Sequence, residues 1–166
     1  MFELKTLSPE AVPRALAKAE RYRLLNEPGE AVSICLDALE IDPTNQEAIA
    51  TLLLAITEQF EADMSRVNDA WQAVARITDE YERTYYTGII FERRAKAFLR
   101  HATPRGGPRA YEWLREAMGW YEKAEALRSS NNDDALLRWN ACARLIMSDH
   151  HLVPMSEEPN EPLLSE

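Results

Sequence analysis

Two helical patterns of apolar residues meet in the stretch LDALEIDPTNQEAIATLLLAI, residues 36–56, with only the four residues DPTN between them. Pro43 cannot continue the incoming helix, and it disfavours the helical conformation at Asp42. We predict that Thr44 caps the next helix and that Glu47, three residues later, completes a capping box. The chain is therefore expected to reverse direction here and to place two helices side by side.

The same alternation of helical patterns and short polar breaks runs along most of the chain. No segment shows the period-two alternation of a half-buried strand. Between Pro43 and Pro104 there is no proline, and the only glycine is Gly88. We predict an all-α fold of seven helices. Their expected bounds are about 9–26, 29–40, 45–61, 65–77, 79–101, 108–128 and 133–147.

The segment AKAERYRLLNEPGEAVSICLDALEIDPTNQEA resembles a tetratricopeptide repeat. Ala19 and Tyr22 match the small and aromatic positions of the repeat's first helix. Ala31, Ala38 and Pro43 match its second helix and terminal proline. Small residues at such positions let the backbones of two helices approach closely, while an aromatic side chain fills the gap.

Two further units follow at the spacing of the repeat. The second, at about 46–80, is degenerate, with Leu53 at the small position and no proline at its end. The third, at about 81–130, matches the repeat better, at Gly88, Phe91, Ala117, Tyr121 and Ala124. Its two halves are separated by about 17 residues more than a 34-residue repeat would place between them. This hairpin is therefore expected to be unusually long.

The resemblance implies a right-handed superhelical stack of about three helical hairpins over residues 1–147. The repeats would span about 12–45, 46–80 and 81–130, followed by a capping helix at 133–147. A generic amphipathic helical bundle is the alternative. Residues 148–166 are rich in proline and glutamate, and we expect them to form a disordered acidic tail.

The composition excludes several classes of protein. A net charge of -9 argues against general nucleic-acid binding, and no apolar run is long enough to span a membrane. The N-terminus has no secretory signal pattern. Cys35 and Cys142 lie inside apolar helical patterns and are predicted to be small buried side chains in a reducing compartment. We expect a cytoplasmic monomer and leave self-association open.

No catalytic, cofactor or metal site is predicted. The sequence DHH at 149–151 offers no ligand pair at helical i, i+4 spacing. The sequence TPRGGP follows a helix and lacks the Lys-Ser/Thr of a phosphate-binding loop. No serine lies in a nucleophile-elbow motif. A catalytic carboxylate pair stays open in principle, but no residue pattern points to one, and we predict no enzymatic activity.

Charge is distributed unevenly along the chain. Residues 93–109 carry six arginines or lysines and no acid, whereas residues 148–166 carry five acids and neither arginine nor lysine. One hypothesis is that the tail docks on this basic part of the third hairpin and competes with an acidic partner. The alternative is a free solubilising tail over a solvated basic face.

The resemblance also implies a concave groove lined by the first helix of each hairpin. The predicted partner-binding residues are Glu20, Arg23, Thr51, Leu54, Glu58, Tyr85, Tyr86, Ile89, Arg93, Arg138 and Trp139. Leu16 and Ala50 are expected on the same faces. Some tetratricopeptide domains hold a C-terminal carboxylate with paired Lys and Asn, but here the corresponding positions carry Leu16 and Glu20. A carboxylate clamp is therefore not expected, and an ordinary solvated face is the alternative to a groove.

These expectations favour an adaptor or scaffold that binds a peptide or a helix of another protein. A first alternative is a small dedicated chaperone for a secreted or unstable client, since the size and acidity of this chain resemble those of such chaperones. A second alternative is an enzyme or ligand-binding protein built on a helical scaffold.

Overall fold

Seven α-helices account for most of residues 1–156. The structure, a computed structural model, describes residues 1–156, and within them there is no strand, which confirms the predicted all-α class. The helices are α1 (Val12–Leu24), α2 (Pro28–Ile41), α3 (Gln46–Thr57), α4 (Arg66–Val74), α5 (Glu80–His101), α6 (Gly107–Leu127) and α7 (Asp134–Ser148). Short 3-10 turns, Pro9–Ala11 and Pro104–Gly106, precede α1 and α6. None of the helices in this described part is both long and apolar enough to cross a bilayer.

The turn between α2 and α3 forms where the proline predicts it, but its cap differs. Asn45 is the N-cap of α3, and its side chain accepts a hydrogen bond of 3.0 Å from the backbone N–H of Ala48. The predicted capping box of Thr44 and Glu47 is therefore wrong by one residue. Asparagine is at least as good an N-cap as threonine, so the local sequence offered two adjacent solutions.

Each helix packs against its neighbours in sequence, and α1 also contacts α3, which in turn contacts α5. The turns of successive hairpins are tied to one another by polar contacts. The backbone N–H of Thr78 donates to the Gln46 side chain at 2.9 Å. The guanidinium of Arg76 donates to the carbonyl of Pro43 at 2.8 Å. These contacts fix the start of α3 relative to the turn that precedes α5.

The core consists of two apolar clusters. The first is formed by α1, α2, α3 and α4 together with Ile90 and Ala97 of α5, and it includes the predicted small positions Ala19, Ala31 and Ala38. The second lies between α5, α6 and α7. Cys35 and Cys142 are buried free thiols, one in each cluster, as predicted. Burial raises the pKa of both thiols to about 12, so both are protonated and behave as small apolar groups at neutral pH.

The third hairpin is the longest. Helices α5 and α6 have 22 and 21 residues, whereas α3 and α4 have 12 and 9. The two long helices meet where Gly88 faces Tyr121. A Cβ added to Gly88 would lie 2.6 Å from the Tyr121 ring, so the absence of a side chain lets this ring fill the space between the helices.

Packing continues beyond residue 147, the predicted end of the domain. Leu152 is 3% exposed and belongs to the second cluster. The segment before it crosses the start of α6, where a Cβ on Gly107 would overlap the carbonyl oxygen of His151. Residues 157–166, the greater part of the predicted acidic tail, lie outside the described residues.

The predicted docking of that tail therefore stays a prediction. In the described part of the chain, four of the six basic residues that would receive it already contact an acid. These pairs are Arg93 with Glu58, Lys96 with Glu92, Arg100 with Glu61, and Arg109 with Glu112. Much of the positive charge of this hairpin is thus balanced locally.

Candidate functional site

Side chains from α1, α3 and α5 converge on one cavity of about 410 Å³, which we call the groove cavity. Its lining residues are Glu20, Arg23, Gln46, Glu47, Ala50, Thr51, Leu54, Glu82 and Tyr86. Five of the predicted partner-binding residues are among them: Glu20, Arg23, Thr51, Leu54 and Tyr86. The structure thus brings together residues that are far apart in sequence, on one side of α1, α3 and α5.

Helical periodicity explains which side chains meet there. In α3, Glu47, Ala50, Thr51 and Leu54 stand at i, i+3, i+4 and i+7, so they share one face of the helix. In α5, Glu82 and Tyr86 stand one turn apart, and in α1 the same holds for Glu20 and Arg23. The opposite face of α3 carries residues of the first apolar cluster, among them Ile49, Leu52 and Ile56.

Arg23 is held by two carboxylates. It donates to Glu58 at 2.6 and 3.1 Å, and to Glu20 at 2.7 Å. Burial opposes the charged form, but the hydrogen bonds to Glu58 and Glu20 outweigh it, so the pKa of Arg23 is raised. The guanidinium is therefore charged at every relevant pH and is already neutralised within the protein.

Glu58 also connects α3 to α5 through Arg93. The Arg93 guanidinium donates to the hydroxyl of Thr57 at 2.7 Å and to the carbonyl of Leu54 at 3.2 Å, and lies 3.5 Å from the Glu58 carboxylate. Burial lowers the pKa of Arg93 while the charge of Glu58 raises it. Because Glu58 is shared by Arg23 and Arg93, one carboxylate links three helices beside the cavity.

A second charged network lies further along α5. Glu92 is 0% exposed; it accepts hydrogen bonds from the Tyr121 hydroxyl at 2.5 Å, from Lys96 at 2.5 Å and from Arg138 at 3.3 Å. Burial acts to raise the pKa of Glu92, but the hydrogen bonds from Lys96 and Tyr121 and the charges of Lys96 and Arg138 lower it overall. This buried carboxylate joins α5, α6 and α7.

Sequence reasoning missed the importance of Glu92, although a signal for it exists. It stands four residues after Gly88 and three before Ala95, both of which are buried, so helical periodicity places it on the packed face. Gln46, Glu47 and Glu82 were also missed as cavity residues. Glu47 and Glu82 would have been found by continuing the predicted faces of α3 and α5 by one turn toward their N-termini.

The remaining predicted groove residues are placed differently. Ile89 is 1% exposed, belongs to the second cluster and does not line the groove cavity, so its assignment as a groove residue is corrected. Leu16, expected on the groove face of α1, is likewise 1% exposed and belongs to the first cluster. Tyr85 packs between Tyr86 and Tyr121, with ring centroids 5.4 and 5.9 Å away.

The two predicted residues of α7 lie apart from the groove cavity. Arg138 reaches the buried carboxylate of Glu92, and the indole N–H of Trp139 donates to Glu122 of α6 at 2.9 Å. Neither residue lines the groove cavity. Their use as contacts for a partner stays a prediction.

A second surface, the α6 cleft, has a volume of about 680 Å³. Its aromatic lining consists of Phe91, Tyr111, Trp113 and Trp120. Arg94 lies over the Trp113 ring at 4.1 Å and Lys123 over the Trp120 ring at 4.2 Å, so each of these indoles already has a cationic neighbour. Trp71 and Trp113 also pack edge-on against Phe91 and Phe98, in agreement with a packing role for these tryptophans.

Asp149, His150 and His151 have side-chain ligand atoms within 4.8 Å of one another. Their closeness is explained by the turn after α7. Asp149 accepts a hydrogen bond of 2.9 Å from the backbone N–H of His151 and lies 3.1 Å from its ring nitrogen. The first of these bonds is the main cause that lowers the pKa of Asp149. We assign no metal to this group.

Comparison with models of protein families, with curated proteins and with solved structures finds no match to the chain.

Proposed function

We propose that this chain is a tetratricopeptide-like adaptor that holds a peptide or helix of another protein at the groove cavity. The observation that carries the proposal is the cavity itself. Leu54 and Tyr86 supply an apolar surface, and charged side chains of α1, α3 and α5 surround it. Such a mixture suits an extended segment, whose apolar side chains need a pocket and whose backbone stays near polar groups.

Two features support a superhelical stack of hairpins. The contacts from α1 to α3 and from α3 to α5 align the first helices of the three hairpins along one side. The close approach of Gly88 to Tyr121 joins the small position of the third unit's first helix to a residue at which its second helix matches the repeat. In such a stack the first helices line the concave face, where the groove cavity lies. The proposed setting is the cytoplasm, with a protein partner and neither nucleic acid nor membrane.

A protein segment fits this cavity better than a small molecule does. Small-molecule sites present a few placed polar groups in an apolar pocket. In residues 1–156 the buried side-chain atoms without a hydrogen-bond partner are the Tyr81 hydroxyl and Nε of Arg94, and neither residue lines the cavity. The polar groups of the cavity are instead paired with each other or open to a partner.

The decisive experiment compares two blocking substitutions. Ala50→Trp places an indole inside the groove cavity, whereas Gly119→Trp fills the α6 cleft, where a Cβ meets no atom within 4 Å. Partners are captured from the native cell extract with each purified variant and identified by mass spectrometry. We expect Ala50→Trp to lose the partner that wild type and Gly119→Trp both retain, with melting temperatures checked in parallel.

The opposite pattern would move the site to the α6 cleft. A second variant tests the aromatic anchor: Tyr85→Ala combined with Tyr86→Ala is expected to weaken capture by about 2 kcal/mol or more. Because Tyr85 also packs against Tyr121, circular dichroism must show that this variant is folded. Equal capture by the folded double variant and wild type would contradict a groove site.

A further inference from the structure

The groove cavity has an excess of acid that the protein does not neutralise. Among its lining residues, Glu20, Glu47 and Glu82 are acidic and Arg23 is the only base. Arg23 is already bound by Glu20 and Glu58. Within residues 1–156, no ion pair involves Glu47 or Glu82. Two carboxylates therefore line the cavity without an ion-pair partner; each lies in the first turn of its helix, where the backbone N–H groups offset part of its charge.

The other arginines near the groove do not offset this charge. Arg93 is bonded inward to Thr57 and to the Leu54 carbonyl, and Arg138 is bonded to Glu92. Among the residues that line the cavity, an acidic segment would meet like charges and no free guanidinium. A neutral segment would leave the two carboxylates uncompensated as water is displaced around them.

The shape of the lining suits a long basic side chain. Tyr86 is half-buried, and with Leu54 and Ala50 it forms an apolar surface next to the carboxylates. Lysine and arginine lay their aliphatic stems on such surfaces while the charged end reaches a polar rim. An aromatic ring adjacent to the charge adds a cation–π contribution.

We propose that the segment bound in the groove cavity is basic, with a lysine or arginine whose stem packs on Tyr86 and Leu54 and whose charge pairs with Glu47 and Glu82. This inference rests on the proposed adaptor function and specifies its ligand class. It also argues against the acidic partner considered from the charge distribution of the sequence.

The test is a selection of random dodecapeptides displayed on phage against the full-length chain. The charge of the enriched peptides is scored, and the best peptide is titrated by fluorescence anisotropy at low and high ionic strength. The test variant is Glu47→Gln combined with Glu82→Gln. The matched control is Glu30→Gln combined with Glu40→Gln, which removes the same charge from exposed positions on α2.

We expect peptides with net positive charge, bound about three- to tenfold more weakly by the test variant than by wild type at low ionic strength. The control should bind like wild type, and the difference should shrink as salt screens the charges. Enrichment of acidic or neutral peptides, or equal binding by the test variant, overturns the basic-ligand proposal and leaves the adaptor function standing. Failure of any peptide to be enriched, or full binding to Ala50→Trp, counts against the groove and overturns both.

Discussion

The first and third hairpins use the same small-residue pattern and both have apolar cores, but the third adds a buried charged network. Between α1 and α2, the close contacts are apolar and are made by Ala19, Ala31, Cys35 and Ala38, all fully buried. Between α5 and α6, Gly88 admits the Tyr121 ring, and the hydroxyl of that ring is bonded to a buried carboxylate.

The difference matters because apolar packing and a buried charged network respond differently to substitution. Apolar packing is non-directional and tolerates compensating shifts. A buried carboxylate is stable only while all its partners are in place, since an unpaired buried charge is costly. The third hairpin therefore depends on a few specific groups, and Arg138 extends this dependence to α7.

Glu92→Ala should have the largest effect on stability. It leaves the Tyr121 hydroxyl buried without its partner and removes the common ligand of Lys96 and Arg138. We expect a loss of about 3–5 kcal/mol in the free energy of unfolding, measured by urea denaturation. The exposed Glu116→Ala in α6 serves as the control and should change stability by less than about 0.5 kcal/mol. A similar small loss for both variants would mean that the network contributes little.

Ala38→Trp tests the first hairpin in the same assay. Ala38 is fully buried between helices, so an indole there must push the hairpin apart. We expect a cost of at least about 1–3 kcal/mol. An unchanged melting temperature would show that α2 does not pack as described.

Gly88→Ala tests whether the Tyr121 ring is held in place. The new methyl group would meet the ring at 2.6 Å, and the bond to Glu92 limits how far that ring can move. We expect a cost of about 1–3 kcal/mol. In a Tyr121→Phe background the ring is released, so the cost of Gly88→Ala should fall by about 0.5 kcal/mol or more. Strict additivity of the two substitutions would contradict a pinned ring.

The contrast between the hairpins also explains what the sequence could predict. Helix positions followed from proline breaks and apolar periodicity, and the small positions Ala19, Ala38 and Gly88 followed from the repeat pattern. Thr51 and Leu54, which the helical period placed on one face of α3, both line the groove cavity. Glutamate is so common on solvated faces that composition gives no reason to place Glu92 inside. Ile89 was misplaced because a helix that packs on two sides leaves little of its surface for a groove.

The pH dependence of stability offers the subtlest comparison of the two hairpins. The pKa of Glu92 is lowered in the folded protein because the bonds from Lys96 and Tyr121 outweigh the opposing effect of burial. A carboxyl group with a lowered folded pKa stabilises the fold above its unfolded pKa of about 4.3. That contribution is lost as the pH falls through the folded pKa. The loss should be absent in Glu92→Gln, which carries no titratable group at this position.

We therefore expect the stability difference between wild type and Glu92→Gln to be constant near neutral pH and to shrink below about pH 4, by about 1.4 kcal/mol for each unit by which the folded pKa is lowered. The other carboxyl groups titrate in both proteins, so their effects largely cancel in the difference. The matched measurement on Ala38→Trp should give a cost that does not change over the same range, because only apolar contacts are altered. Hydrogen exchange of the α5 and α6 amides would show whether the acid-induced loss begins in the third hairpin. A difference that stays constant down to about pH 3 would mean that the pKa of Glu92 is the same in the folded and unfolded states, and that its charged network does not stabilise the third hairpin.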